Sequence, residues 1–112
     1  MIHKMNLNDN PFNSIKKGSK TIEMRLYDEK RRLINVGDMI EFNNRLTNEK
    51  ISVEVIKLHL FNNFEELYKQ FDKIGLGYKE NEEVSPNDMN KYYSKEEQDK
   101  YGVVGIEIKI RI

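Results

Sequence analysis

The sequence of 112 residues contains no cysteine, which excludes disulfides, thiolate metal sites and a cysteine nucleophile. It contains only two histidines, His3 and His59, and their spacing matches no metal site, so both are interpreted as structural. No apolar stretch approaches the roughly 18 residues of a membrane-spanning helix, and the start of the chain does not resemble a secretion signal. We therefore expect a soluble, cytoplasmic, monomeric protein with no membrane partner, no metal and no cofactor.

Several motifs of nucleotide enzymes and hydrolases are absent as well. The chain has no Walker loop, no Gly-x-Gly-x-x-Gly, no His-Glu-x-x-His and no Gly-x-Ser-x-Gly. Phosphoryl transfer, dinucleotide chemistry and zinc-dependent hydrolysis therefore find no support in the sequence.

The chain also lacks net charge, because 19 basic residues balance 19 acidic ones. Residues 1–60 nevertheless carry 11 basic and 8 acidic side chains, whereas residues 61–112 carry 8 and 11. Basic residues are densest in IKKGSKTIEMRLYDEKRR, residues 15–32, with seven Lys or Arg and three acids. Binding nucleic acid over a wide surface usually requires a larger basic excess, so we expect any such ligand to occupy a focused cleft.

Apolar and polar residues alternate in several segments, which is the pattern of half-buried strands. The alternation predicts strands in MIHKMNL, KTIEMRL, DMIEF, KISVEVIKLHLF and VVGIEIKIRI. In the last segment, one face of the predicted strand carries Ile106, Ile108, Ile110 and Ile112.

Helical spacing of apolar residues predicts three short helices. The first starts at Pro11 with Asp9 as its cap, and the second lies in NFEELYKQF. The third lies in SKEEQDKYG, with Ser94 as cap, Glu97 at the capping-box position and Gly102 as the stop. The segment IGLGYKENEEVSPND between the last two is predicted to be a loop.

These elements predict one α+β domain over residues 1–112. About five strands and three or four short helices fit a small, partly open β-barrel with the helices packed at its ends. We expect the first and last strands to be available to close the sheet.

The strand KTIEMRL carries the most distinctive polar residues of the chain. Strand geometry places Thr21, Glu23 and Arg25 on one face, and Lys20 at the start of the strand leans toward the same region. A Glu–Arg pair beside a lysine and a hydroxyl can bind a planar polar ligand, or hold an amine whose pKa must fall to act as a base. The alternative is a solvated hairpin face with weak ion pairs.

A short basic cluster, formed by Lys30, Arg31 and Arg32, follows this strand. Its positive charge suits contacts with phosphates. The alternative interpretation is a solvated turn.

The segment PFNSIKKGSKTIEMRL resembles the signature of the ASCH domain family, Gly-x-Lys-x-x-Glu-x-Arg after a short helix. It reads Gly18-Ser19-Lys20-Thr21-Ile22-Glu23-Met24-Arg25. INVGDMIEF is similar to the start of the family's Gly-Asp strand, and YGVVGIEIKI to its closing strand. The resemblance implies a PUA-like β-barrel, a cleft lined by Lys20, Glu23 and Arg25, and a role connected with RNA or modified nucleosides.

The resemblance also suggests two activities. Some small relatives hydrolyse the acyl amide of acetylated cytidine with a lysine base, a threonine three positions later and a downstream glutamate. Here Lys20 matches the base, but the position three later is Glu23, and Thr21 is the nearest hydroxyl. Other relatives have been linked to RNA cleavage.

Three hypotheses follow from the residues and the resemblance, and the third of them is a protein-interaction barrel whose cleft is vestigial. The first is an RNA-, nucleotide- or modified-nucleoside-binding protein that uses Lys20, Glu23 and Arg25, with Lys30, Arg31 and Arg32 extending the contact to phosphates. The second is a hydrolase of acylated nucleosides or of RNA, with Lys20, Thr21 and Glu23 as catalytic residues.

Overall fold

A computed structural model describes residues 1–111 of the chain. These residues form five strands and three α-helices, namely β1 (Ile2–Leu7), α1 (Asp9–Lys17), β2 (Ile22–Leu26), β3 (Met39–Asn44), β4 (Lys50–Phe61), α2 (Phe64–Gln70), α3 (Lys95–Tyr101) and β5 (Val103–Ile110). Two short 3-10 helices, Arg31–Leu33 and Pro86–Lys91, follow β2 and precede α3. Ile112, which the sequence predicts to be in the last strand, lies outside the described residues.

The strands of residues 1–111 form one curled sheet in the order β1-β3-β4-β5-β2, which confirms the predicted α+β, partly open barrel. β1 pairs with β3 in parallel, and the other pairs are antiparallel. The expectation that the first and last strands close the sheet is wrong, because β5 lies between β4 and β2. β5 is suited to this inner position because it has buried residues on both of its faces, among them Val103, Val104 and Ile106. β1 has buried residues on one face only.

The gap of the barrel lies between the two outer strands, β1 and β2, which α1 connects along the chain. This helix starts at Asp9 rather than at Pro11, and its cap is Asn8. The Asp9 carboxylate instead accepts a hydrogen bond of 2.9 Å from the Asn44 side chain, so it ties the helix to the end of β3. The predicted cap is wrong because Asp9 is already the first residue of the helix, and Asn8 before it has the extended backbone of a cap residue.

One face of the sheet packs against α1 and forms the larger hydrophobic core. Its fully buried members include Phe12, Ile15, Ile40, Phe42, Val53, Val55 and Ile106. A second core lies on the other face of β2, where Ile22, Met24 and Leu26 pack against α2 and the segment that follows it. β2 is therefore covered on both faces although it lies at the edge of the sheet.

The structure confirms the predicted start and end of α3. The Ser94 side chain accepts a hydrogen bond from the backbone of Glu97, the Glu97 side chain bonds back to Ser94, and Gly102 ends α3. None of the helices in residues 1–111 has the length and apolar character needed to cross a membrane.

Candidate functional site: an ion triad at the gap of the barrel

Three side chains of the signature segment meet at the gap of the barrel. Lys20 Nζ lies 2.9 Å from Glu23 Oε1, and Arg25 Nε donates a 2.7 Å hydrogen bond to Glu23 Oε2. We call these three residues the ion triad. Glu23 is only 3% exposed, and Lys20 is 8% exposed. The interpretation of these charges as a solvated hairpin face is therefore wrong for Lys20 and Glu23.

The local structure explains why the three side chains converge. Gly18 adopts a left-handed conformation with φ of 90°, which ends α1 and turns the chain toward β2. In β2, the predicted alternation holds, because Glu23 pairs with Ile106 and Arg25 pairs with Val104. The triad therefore shares its face with the larger core.

Arg25 also spans the gap between the outer strands. Its Nη2 donates a 3.1 Å hydrogen bond to the backbone oxygen of Asn6 in β1. The Arg25 side chain is 13% exposed, so one edge of the guanidinium remains in contact with solvent. Arg25 is thus both a partner of Glu23 and a link across the open side of the barrel.

The charges of the triad stabilise one another. Burial by itself would raise the pKa of Glu23, but the charges of Lys20 and Arg25 and their hydrogen bonds hold this pKa below its ordinary value. Burial by itself would lower the pKa of Arg25, but the Glu23 carboxylate and Tyr93 raise it. Glu23 is therefore a carboxylate at neutral pH, and the triad carries a net charge of about +1.

A loop with two glycines, Gly75 and Gly77, packs against Lys20 and the start of β2, and the sequence pattern does not assign it to the site. The backbone oxygen of Gly75 accepts hydrogen bonds from the amides of Thr21 at 2.9 Å and Ile22 at 3.0 Å. A Cβ at Gly77 would lie 2.9 Å from Lys20 Cδ, and Gly77 has a φ of 105°. The Gly-x-Gly spacing is the signal for this close approach, although by itself it predicts only a loop.

Gly77→Ala is expected to destabilise the protein by about 1–3 kcal/mol, because alanine is strained at this φ and its Cβ would displace Lys20. Urea unfolding followed by circular dichroism measures this loss. The matched control is Gly37→Ala, which has a similar φ of 93° but an open surrounding. An equal loss in both variants would show that the contact with Lys20 contributes nothing.

Aromatic side chains of α2 contact residues of the segment that follows it. The hydroxyls of Tyr68 and Tyr78 lie 2.8 Å apart, and the Tyr78 hydroxyl donates to Asp88 at 2.7 Å. Burial and these neighbours raise the pKa of Tyr78, so it remains a neutral donor. Tyr93 stacks on Phe64 with 6.0 Å between ring centroids. These two sets of contacts connect α2 with the 3-10 helix Pro86–Lys91 and with residues on either side of it.

The Thr21 hydroxyl forms no hydrogen bond with another member of the site in the part of the chain that is described. Thr21 and Lys20 nevertheless line the same cavity of about 250 Å³, together with Gly18 and residues of α1 and β5. The structure thus places Thr21 beside Lys20, and the cavity lies between them and Ile108.

The basic cluster lies apart from the triad. Arg31 is folded back onto Asp28, with its Nη1 2.8 Å from Oδ2. Arg32 lies over the ring of Tyr27 and donates a 3.2 Å hydrogen bond to the backbone oxygen of Tyr101. Lys30 is exposed. The three residues of the basic cluster therefore do not join Lys20 in one site, and Arg31 forms an ion pair with Asp28.

Residues 5–111 of the chain match the family model of the ASCH domain. The chain belongs to the ASCH domain family. In this ASCH domain, the signature residues Gly18, Lys20, Glu23 and Arg25 are those that end α1 and build the triad. In residues 1–111 no group of three or more His, Asp or Glu side chains is arranged to hold a metal ion.

Solved structures resemble this ASCH domain over nearly its whole length. A crystal structure of hypothetical protein PH0355 is 35% identical, covers 99% of this chain and 100% of its own, and has a TM-score of 0.80. A solution structure of protein PF0455 from Pyrococcus furiosus is 36% identical, with a TM-score of 0.72 and coverage of 98% and 97%. An ASCH protein from Zymomonas mobilis shares the fold, with 13% identity, a TM-score of 0.70 and coverage of 96% and 66%. No curated protein matches the chain.

Proposed function

We propose that this ASCH domain binds RNA, a nucleotide or a modified nucleoside through Lys20 and Arg25. The observation that carries the proposal is the buried Glu23 that holds both cations at the gap between β1 and β2. A buried ion triad is costly to maintain for stability alone, because apolar side chains of similar volume often stabilise a fold as well. Its retention beside a gap favours a binding role.

The triad offers hydrogen-bond donors to a ligand. Lys20 has three N–H donors and Arg25 has five, and Glu23 and Asn6 accept only some of them. The remaining donors suit phosphate oxygens or the oxygen and nitrogen acceptors of a base edge. Each Glu23 oxygen accepts from one of the two cations, so Glu23 orients Lys20 and Arg25 toward a ligand.

The charge distribution supports a local site. The whole chain has no net charge, but the triad has an excess of one positive charge in a mostly buried position. Lys30 and Arg32 are exposed and would extend the contact to backbone phosphates. Since few phosphates are neutralised, the salt dependence of binding is expected to be shallow.

Lys20→Ala is expected to weaken the binding of a ligand by at least roughly tenfold, because it removes a charged donor from the site. Isothermal titration with cytidine, cytidine monophosphate and a short single-stranded RNA measures the change. The matched control is Lys69→Ala, whose side chain is 71% exposed on α2. Circular dichroism verifies that both variants fold.

Two outcomes would contradict this proposal. One is that folded Lys20→Ala binds every probe as tightly as the wild type. The other is that the wild type binds none of the three probes at moderate salt.

A second candidate function is hydrolysis of an acylated nucleoside or of RNA, favoured by the cavity that Lys20 and Thr21 share. In this scheme Lys20 acts as base in its neutral amine form, and Thr21 or a water molecule held by Glu23 is the nucleophile. Incubation with acetylated cytidine or RNA, followed by chromatography, tests it. Product formation that is equal in wild type and Thr21→Val excludes the hydroxyl, and the absence of any product excludes the activity.

A further inference from the structure

A polar depression of about 570 Å³ lies at the other end of β2 from Lys20. The lining side chains come from the end of β2, the basic cluster, the end of β4 and the end of α3, and include Tyr27, Arg32, Asn62, Asn63, Lys100 and Tyr101. We call it the β2-end depression. Arg32, which makes no contact with the ion triad, is one of the residues that line the depression.

Two cation–aromatic pairs border the depression. The Arg32 guanidinium lies 4.4 Å from the centroid of the Tyr27 ring, and Lys100 Nζ lies 5.0 Å from that of Tyr101. The hydrogen bond from Arg32 to the backbone oxygen of Tyr101 connects the two pairs. Both cations are exposed, while both rings are partly buried, so the cations are held in place and still reach solvent.

The depression continues the row of side chains that contains the triad. Glu23, Arg25 and Tyr27 alternate onto the same face, and the Tyr27 amide still bonds to the backbone oxygen of Gly102, next to β5. Tyr27 lies four positions after Glu23 on extended chain, a distance of about 13 Å. Arg25 lies between them, so positively charged side chains follow one another from Lys20 to Arg32.

Side chains of this type are those that bind single strands of nucleic acid. Aromatic rings and guanidinium planes stack with bases, exposed cations contact phosphates, and amides such as that of Asn62 bond to base edges. Within the depression Arg32 and Lys100 outnumber the one acid, Asp99. The charge therefore favours a polyanion over an acidic or neutral partner.

We infer that the β2-end depression is a second contact for single-stranded RNA. One nucleotide of the RNA binds at the ion triad, the strand then runs along β2, and a later base and phosphate bind between Arg32 and Lys100. This inference depends on the proposed function of the triad. It adds that an oligonucleotide binds more tightly than a mononucleotide, because only the oligonucleotide reaches both positions.

The test compares two probes, a labelled single-stranded RNA of about 10 nucleotides and cytidine monophosphate. The double variant Arg32→Ala, Lys100→Ala is expected to bind the RNA roughly tenfold or more weakly, with a salt slope reduced by about 0.7 for each phosphate that the variant no longer neutralises. Its binding of cytidine monophosphate is expected to equal that of the wild type. The matched control is Arg45→Ala, Lys69→Ala, which removes one exposed arginine and one exposed lysine that do not line the depression and is expected to leave both affinities unchanged.

The possible failures are distinguishable. If the double variant binds RNA like the wild type while Lys20→Ala does not, the second contact is refuted and the proposed function stands. If the folded double variant binds both probes more weakly to the same degree, the depression is not a separate contact and the inference is overturned. If the wild type binds cytidine but neither of these two probes, this inference alone fails. If it binds none of the three, the proposed function fails as well.

Discussion

Glu23→Ala is expected to lower the free energy of unfolding by about 3–5 kcal/mol, which is the typical cost of breaking a buried ion pair by removing one partner. The reason is that Glu23 is the common partner of Lys20 and Arg25, both of which are mostly buried. Without it, two positive charges remain close together without a counterion. Urea unfolding at neutral pH, followed by circular dichroism, measures the loss.

Two further variants separate charge from volume in this prediction. Glu23→Gln keeps the size of the side chain but removes its charge, and it is expected to lose nearly as much stability, about 3 kcal/mol. Glu65→Gln removes a carboxylate that is 71% exposed on α2, and it is expected to change stability by no more than about 0.5 kcal/mol. Similar small losses at both positions would mean that the triad does not stabilise the fold.

The stability that Glu23 contributes is expected to depend on pH. Its pKa is lower in the folded state than in the unfolded state, so its contribution is complete above the unfolded-state value of about 4.3. The contribution is lost as the pH falls below this value through the lowered folded-state pKa. The difference between wild type and Glu23→Gln should therefore be constant near neutral pH and shrink below about pH 4. A difference that grew on acidification would contradict the assigned direction.

Local patterns were sufficient to predict much of the fold and the core of the site. The alternation of Glu23 and Arg25 against Met24 required only that β2 be a strand, and the capping box at Ser94 required only sequence spacing. These features depend on neighbours within a few residues. The ASCH signature then indicated that Lys20 lies with them.

Features that depend on distant parts of the chain could not be read from the sequence. In β4, a bulge between Val55 and Lys57 changes the face that packs on the core, so Val55 and Leu58 both contact it. The position of β5 inside the sheet depends on which strands pair, and alternation does not specify pairing. The cover that Gly75 and Gly77 form over Lys20 brings together segments more than 50 residues apart.

Arg25→Ala is expected to lower the free energy of unfolding by about 2–4 kcal/mol, because it leaves one oxygen of the buried Glu23 without its partner and opens the link to β1. The loss should also be local. Amide hydrogen exchange measured by NMR is expected to accelerate in β1, which lies at the edge of the sheet and has β3 as its strand partner. Lys50→Ala, at the start of β4, is the control because its side chain is exposed.

Arg25→Lys tests whether the shape of the guanidinium matters in addition to its charge. A lysine can neutralise Glu23, but it lacks the planar fork that lets Arg25 donate to Glu23 through Nε and to Asn6 through Nη2. We therefore expect Arg25→Lys to recover much of the stability lost in Arg25→Ala while β1 still exchanges faster than in the wild type. Wild-type exchange in Arg25→Lys would show that a positive charge alone holds the gap of the barrel. Fast exchange with restored stability would instead establish that the planar fork of Arg25 is what links the two outer strands.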